Sequence, residues 1–267
     1  MVDHLPREPP RPRARPEQVL SRRLLVVTLL ALVLVVMLDA ASGGAAEPLR
    51  LGDFAPPTEV TAPPPGWEPL TFPRVARHTR YTVVLEGERW VLRAESDAAA
   101  SGLYHPLDLD PKVYRALSWR WKVDHVLAKS DPRRKQGDDY AARVYVAYRY
   151  DPAGASLWER SRFGAYRLFY GRYPPGLALN YVWESRLPVG TVLDNAYTAR
   201  AKIVVARSGA AEAGRWVTET RDIYEDYRRI MGGEPPRIVG IALMTDTDDT
   251  GERAVAYYDA LTIGPGR

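Results

Sequence analysis

Between Trp67 and Ile263 the hydrophobic positions recur with a period of two, in short runs of β-branched and aromatic residues closed by Gly, Pro and Asp clusters. The clearest run is Leu117 to Asp124. Leu117, Trp119, Trp121 and Val123 share one face and Ser118, Arg120, Lys122 and Asp124 the other, which assigns both tryptophans to a core. Arg143 to Tyr150 alternates in the same way, with Val144, Val146 and Tyr148 inward and Arg143, Tyr145 and Arg149 outward. Tyr81 to Leu85 and Glu88 to Ala94 flank Glu86-Gly87 as a hairpin. Further strands are predicted at Leu177 to Glu184, Arg200 to Arg207, Arg215 to Thr220, Arg237 to Thr245 and Ala254 to Ile263. One helix interrupts them: Ile223, Tyr227, Ile230 and Met231 fall on one helical face, Asp222 with Glu225 resembles a capping box, and Gly232-Gly233 before Pro235-Pro236 supplies the stop. This pattern, with no βαβ rhythm, predicts an all-β fold: an antiparallel two-sheet β-sandwich, jelly-roll-like, with one short helix.

Upstream the pattern changes. Leu24 to Leu38 is a single hydrophobic run behind Arg22-Arg23, shorter than the roughly 20 apolar residues a membrane-spanning helix needs. Gly44 and Ala46 satisfy the small-x-small rule for cleavage before Glu47. Residues 1–46 are therefore expected to be a signal peptide or, if uncleaved, an N-terminal anchor, and the protein to be exported, periplasmic or secreted. Residues 47–66 hold Ala55-Pro56-Pro57 and Pro63-Pro64-Pro65-Gly66 and read as a Pro-rich linker. That leaves 67–267 as the β-sandwich domain.

Charge narrows the partners. Of the 37 basic and 33 acidic side chains, 6 and 4 precede Glu47, which leaves 31 and 29, a net +2 for the rest of the chain. A nearly balanced domain has no electrostatic footprint for nucleic acid. Membrane contact is expected only through an uncleaved N-terminal segment. With no Cys in the chain, disulfides, thiol chemistry and Cys–metal sites are excluded. The four histidines lack metal-ligand spacing, and neither a Gly-x-Ser-x-Gly elbow nor a phosphate loop occurs.

Three segments carry candidate chemistry. In Met244 to Gly251, Asp246, Asp248 and Thr250 with Gly251 match the first, third, fifth and sixth positions of a Ca2+ loop, whose hard ion takes oxygen ligands. The twelfth position is Tyr257 rather than Glu, so only an irregular oxygen-ligated Ca2+ site fits; an Asx-turn between two strands is the alternative. Asp138 and Asp139 enter the strand that begins at Arg143. Side chains there alternate, so one carboxylate can meet Arg143 while the other faces the interior or a cleft, as a structural tie or as a ligand contact. Asn180 and Glu184 are the outward pair beside Trp183 on the next strand, and Tyr257, Tyr258 and Asp259 on the last strand add rings and a hydroxyl acceptor. Asp139, Glu184 and Asp246 are the acids available for paired-carboxylate glycosidase chemistry, and no spacing selects two of them. The basic loop His125 to Gly137 reads as a solvated loop or an anion-attracting one.

With these residues in view, the chain resembles the bacterial Domain of Unknown Function 3047 family. The matching segments are Leu117 to Val123, Gly137 to Val146, Leu179 to Trp183, Asn195 to Thr198 and Gly240 to Asp248, spread across the region from about Trp67 to Ile263. The resemblance implies an exported bacterial single-domain protein and no assigned activity. More loosely, Tyr258-Asp259-Ala260-Leu261-Thr262-Ile263 is similar to the last strand of jelly-roll carbohydrate-binding modules. The function expected from all of this is binding of a carbohydrate or other cell-envelope ligand without catalysis, with Asp139, Arg143, Asn180, Glu184 and Asp246 as contacts. The alternatives are an envelope structural or protein-interaction domain, and a glycan hydrolase or lyase.

Overall fold

The computed structural model describes residues 46–56, 62–150 and 176–266. Along them the chain forms β1 (Leu49–Arg50), β2 (Glu68–Leu70), β3 (Arg80–Glu86), β4 (Arg89–Asp97), β5 (Ala100–Leu109), β6 (Tyr114–Val123), a 3-10 turn (Lys135–Gly137), β7 (Arg143–Tyr148), β8 (Leu177–Glu184), β9 (Val192–Asp194), β10 (Ala201–Ser208), β11 (Val217–Asp222), α1 (Ile223–Ile230), β12 (Ile238–Asp246) and β13 (Arg253–Pro265). These strands make two sheets. One has the order β11-β6-β13-β4-β3 with β1 pairing to β13, and the other β2-β5-β12-β7-β8-β10-β9. The all-β two-sheet sandwich expected from the alternation is therefore present, with one α-helix among the described residues. No helix among them is long and apolar enough to cross a membrane. The run Leu24 to Leu38, read as a signal peptide or anchor, lies outside the described residues.

The faces follow the predicted alternation. Leu117, Trp119, Trp121 and Val123 on β6, and Val144, Val146 and Tyr148 on β7, are buried between the sheets. Trp119 meets Tyr181 at 5.5 Å between ring centroids and Trp121 meets Trp183 at 5.8 Å, so β6 of one sheet and β8 of the other are joined by an aromatic ladder. Such pairs contribute about 0.5–1.5 kcal/mol beyond the area they bury.

Three features depart from expectation. β8 and β10 run parallel, where antiparallel pairing was predicted throughout. After β8 the chain skips one position, lays β9 at the sheet edge, and then turns back to fill the gap with β10, antiparallel to β9. Second, the stretch read as a linker supplies β1. Leu49 and Arg50 pair with Ile263 and Thr262, Leu51 and Gly52 donate their N–H groups to the Leu261 carbonyl, and Trp67 Nε1 donates to the Leu51 carbonyl at 3.0 Å. The reason lies in β13. A bulge at Ala260 (φ 50°) shifts the register with β6, so residues 253–258 pair with β4 while the rest of β13 needs another partner. A two-residue strand has no period to read. β5 was missed for a different reason: Gly102 and Pro106 interrupt its β-forming residues.

α1 closes one end of the sandwich. Tyr148 donates from its hydroxyl to the Ile223 carbonyl at 3.0 Å, and its ring lies 4.6 Å from that of Tyr227. Asp222 is the N-cap, accepting the Glu225 N–H at 3.0 Å, and Arg115 donates to it at 2.6 and 2.9 Å. Burial alone would lift the Asp222 pKa, but Arg115 and the capped N–H outweigh it and hold the carboxyl below its ordinary value. A depressed carboxyl stabilises the fold above its unfolded pKa, and that contribution is lost as pH falls through the folded value. Asp222→Ala is thus expected to lower the unfolding free energy by about 1 kcal/mol at neutral pH. The deficit should shrink as the pH drops below about 4. Urea titrations of both proteins across that range check this; a deficit independent of pH would mean that the carboxylate charge is not what caps the helix.

Candidate functional site

β7 and β12 lie side by side in the second sheet, and their outward positions set Arg143 opposite Met244 and Tyr145 opposite Ala242. Asp246 follows on the same face. Arg143 Nε donates to Asp246 Oδ1 at 2.7 Å and Nη2 donates to Oδ2, both side chains being 3% exposed. The same Nη2 donates to the Asp138 carbonyl, Nη1 donates to the Tyr145 hydroxyl at 3.2 Å, and the guanidinium lies 4.4 Å from the Tyr140 ring centroid. Burial opposes the Arg143 charge, yet Asp246, Tyr145 and Asp138 outweigh it and raise its pKa above the ordinary value. For Asp246, burial pushes upward and Arg143 pulls downward; two bonds to a guanidinium that does not release its proton keep the pair ionic.

Thr245 positions Asp246 from within the sandwich. Its hydroxyl donates to the Ala141 carbonyl at 2.9 Å and is 2.9 Å from the Tyr258 hydroxyl, its carbonyl accepts from Thr79 at 2.6 Å, and Tyr258 donates to the Met244 carbonyl at 2.6 Å. Tyr258 belongs to the other sheet, so the polar tie spans both layers.

The segment before β7 is held as firmly. Gly137 leaves no room for a side chain, since an added Cβ would sit 2.7 Å from the Asp131 nitrogen. Asp138 accepts Asn195 Nδ2 at 3.0 Å through Oδ2, while its Oδ1 lies 3.8 Å from Arg143 Nη1 and has no hydrogen-bond partner among the described residues. Asn195 in turn accepts the backbone N–H groups of Tyr197 and Thr198 at 3.1 Å, which fixes the turn that carries Tyr197. Asp139 is fully buried. Its Oδ2 accepts the Thr250 N–H at 2.6 Å and its Oδ1 is unpartnered among the described residues. Gly251, at φ 67°, lets the loop after β12 fold back so that its N–H reaches the Thr247 carbonyl at 2.9 Å. There Asp249 accepts the Tyr197 hydroxyl at 2.6 Å.

The groups of this set that face outward line a cleft of about 690 Å3. Phe72, Pro73, Val75, Ala100 and Met244 form its apolar side, and Arg74, Asp138, Arg143, Tyr145, Asn195, Tyr197, Asp246, Asp248 and Asp249 its polar side. Burial raises Asp138, against the pull of Arg143 and Asn195; burial and the neighbouring carboxylates raise Asp248. Burial likewise raises Asp249, against its bond from Tyr197. Burial pushes Tyr145 up to about 12, so it carries a hydroxyl at neutral pH.

The structure separates the residues singled out from sequence. Arg143 and Asp246 line the cleft but bind each other. Of the two adjacent carboxylates it is Asp138, not Asp139, that faces the cleft and Arg143. Asn180 is fully buried, with neither amide atom hydrogen-bonded among the described residues, and it does not line the cleft. Glu184 is buried and turned onto backbone, accepting the N–H groups of Arg186 and Leu187, so it is a loop cap and not a ligand contact. Asp259 is paired with Arg89 and Arg120 on the opposite sheet. The Ca2+ set read from loop spacing is rearranged as well: Asp246 is committed to Arg143 and the Thr250 N–H to Asp139. The acids whose oxygens converge are Asp139, Asp248 and Asp249. Asn195 and Tyr197 were visible only as part of a family-like segment, and Asp138 only as the neighbour of Asp139; no spacing rule links them.

What the fold and site define is a β-sandwich with a ligand-sized cleft on the outer face of one sheet. The chain belongs to a family described as protein of unknown function, DUF3047, whose model matches residues 65–262. No curated protein matches the sequence. Among solved structures, it is similar to a family 29 carbohydrate-binding module in complex with mannohexaose (10% identity, TM-score 0.36, 81% of this chain and 90% of that one). It is also similar to a protein described as CBM4 (10% identity, TM-score 0.32, 75% and 95%). A third is the xyloglucanase domain of NopAA, a type three effector from Sinorhizobium fredii, in complex with cellobiose (10% identity, TM-score 0.34, 84% and 100%).

Arg143→Met leaves Asp246 buried and unpaired, and is expected to lower the unfolding free energy by about 3–5 kcal/mol. Arg143→Met combined with Asp246→Leu should cost far less, because no uncompensated charge remains. Urea denaturation of the parent and both variants tests this. Equal losses in the single and double variants would show that the two charges are not coupled.

Proposed function

We propose that the cleft binds a carbohydrate, and that the protein is exported and meets a glycan of the cell envelope there without transforming it. One observation carries the reading: an exposed Tyr197, 55% accessible and pinned through its hydroxyl, stands beside Asp138, whose Oδ1 has no hydrogen-bond partner among the described residues, in a cleft of about 690 Å3. A sugar ring presents C–H faces that pack on an aromatic surface and hydroxyls that donate to carboxylates. The volume lies within the range of about 300–1,000 Å3 common to small-ligand sites. Support for export comes from the hydrophobic run Leu24 to Leu38 behind Arg22-Arg23 and from the small residues Gly44 and Ala46 before Glu47.

Retention of the full-length protein on envelope polysaccharides, followed by affinity electrophoresis, tests the binding. Tyr197→Ala is expected to weaken it about tenfold, equivalent to about 1.4 kcal/mol, and Asp138→Asn to weaken it in the same direction. No retention on any glycan, or retention indifferent to both substitutions, would sink the reading. Release of shortened glycan during the assay would make the protein an enzyme instead, and recovery of the protein from the cytoplasmic fraction would remove the envelope from the argument.

A further inference from the structure

We propose that Asp139, Asp248 and Asp249 form a binding site for Ca2+ at the edge of the cleft. One carboxylate oxygen from each lies within 4.8 Å of the other two. Two oxygens coordinated to the same Ca2+ at about 2.4 Å are at most about 4.8 Å apart, so the three fit around a single ion. A cluster of acids is not a site on that ground alone.

The second observation is Asp139 itself. It is fully buried, and while Oδ2 is satisfied by the Thr250 N–H, Oδ1 has no hydrogen-bond partner among the described residues. A buried carboxylate oxygen left unpartnered carries a desolvation cost that a neighbouring cation removes. Three of the basic side chains nearby are engaged elsewhere, and Arg74, which also lines the cleft, is exposed to solvent. Arg143 is bound to Asp246, Lys129 donates to the Thr250 carbonyl at 3.3 Å, and Lys135 lies over the Tyr197 ring at 5.5 Å.

The donor set chooses the ion. Three carboxylates with no imidazole or thiolate suit a hard cation and not zinc or copper. Asp139 is buried, Asp249 half-buried and Asp248 exposed, so protein closes one side while the other is open to water ligands. That uneven, loop-built shell suits the flexible coordination of Ca2+ better than the strict octahedron of Mg2+. The inference does not rest on the glycan reading, since the ion is held by groups that need no sugar.

The test is a Tb3+ titration of the full-length protein in glycan-free buffer, reading luminescence sensitised by Tyr197, whose hydroxyl contacts Asp249. Saturable luminescence displaced by Ca2+, and a Ca2+-dependent rise in melting temperature that EDTA abolishes, are expected because an ion that binds only the native state raises its melting temperature. Asp248→Asn with Asp249→Asn, both outside the core, should weaken Ca2+ competition by about tenfold or more and erase the melting shift. Asp108→Asn, at an exposed ion pair away from the cluster, should change neither. Absence of saturable Tb3+ binding overturns the proposal, as does a melting shift that survives in the double variant. Displacement by Mg2+ at the same concentration as Ca2+ overturns the choice of ion. Loss of glycan retention with Ca2+ binding intact would tell against the carbohydrate reading alone.

Discussion

The ion pair between Arg143 and Asp246 is the constraint around which this end of the sandwich is arranged. Each charge sits at 3% exposure, where an isolated ion would cost several kcal/mol, so neither can be there without the other. They come from adjacent strands, and they meet only because Met244 is opposite Arg143 in the ladder. A slip of one residue in either strand would turn that strand's charged side chain toward the tryptophans and valines of the core and leave the other unpaired. The pair therefore specifies the register of the two strands as well as occupying the floor of the cleft.

The acidic character of the cleft follows from that choice. One guanidinium is spent on Asp246, and Asp138, Asp139, Asp248 and Asp249 are left crowded around it. The neighbours that hold them are mostly neutral donors: Asn195 for Asp138, the Thr250 N–H for Asp139 and the Tyr197 hydroxyl for Asp249. Neutral donors fix geometry but do not cancel charge, which is why burial and mutual repulsion raise the pKa values of Asp138, Asp248 and Asp249.

The two layers are tied together at both kinds of contact. In the core, Trp119 and Trp121 from one sheet pack on Tyr181 and Trp183 from the other. Close to the cleft, Tyr258 reaches across from β13 to the Met244 carbonyl and the Thr245 hydroxyl, so the strand that ends in Asp246 is held from behind. The bulge at Ala260 allows one long strand to serve both tasks, since it lets β13 leave β4 and take β1 as its new partner.

Period-two alternation by itself determined the sandwich and the inward faces of β6 and β7, and helical spacing with its cap and stop signals determined α1, because both periodicities are local properties of the chain. The same local logic identified Arg143, Asp139 and the Asp246 to Gly251 segment as unusual. It failed where partners are distant in the chain. Asn180 and Glu184 are outward on β8, as read, yet outward in this sheet does not mean exposed, and Glu184 spends its carboxylate on the Arg186 and Leu187 backbone. Loop spacing grouped Asp246 with Asp248 and Thr250, whereas folding gives Asp246 to Arg143, 103 residues earlier, and brings Asp139 to Thr250 across 111 residues. Nor could a two-residue strand announce itself before β13 bent to need it. The elements were written in the sequence because they depend on neighbours along the chain; which carboxylate meets which cation, and which acids are left facing one another, only the tertiary structure decided, because those contacts depend on strand order and register.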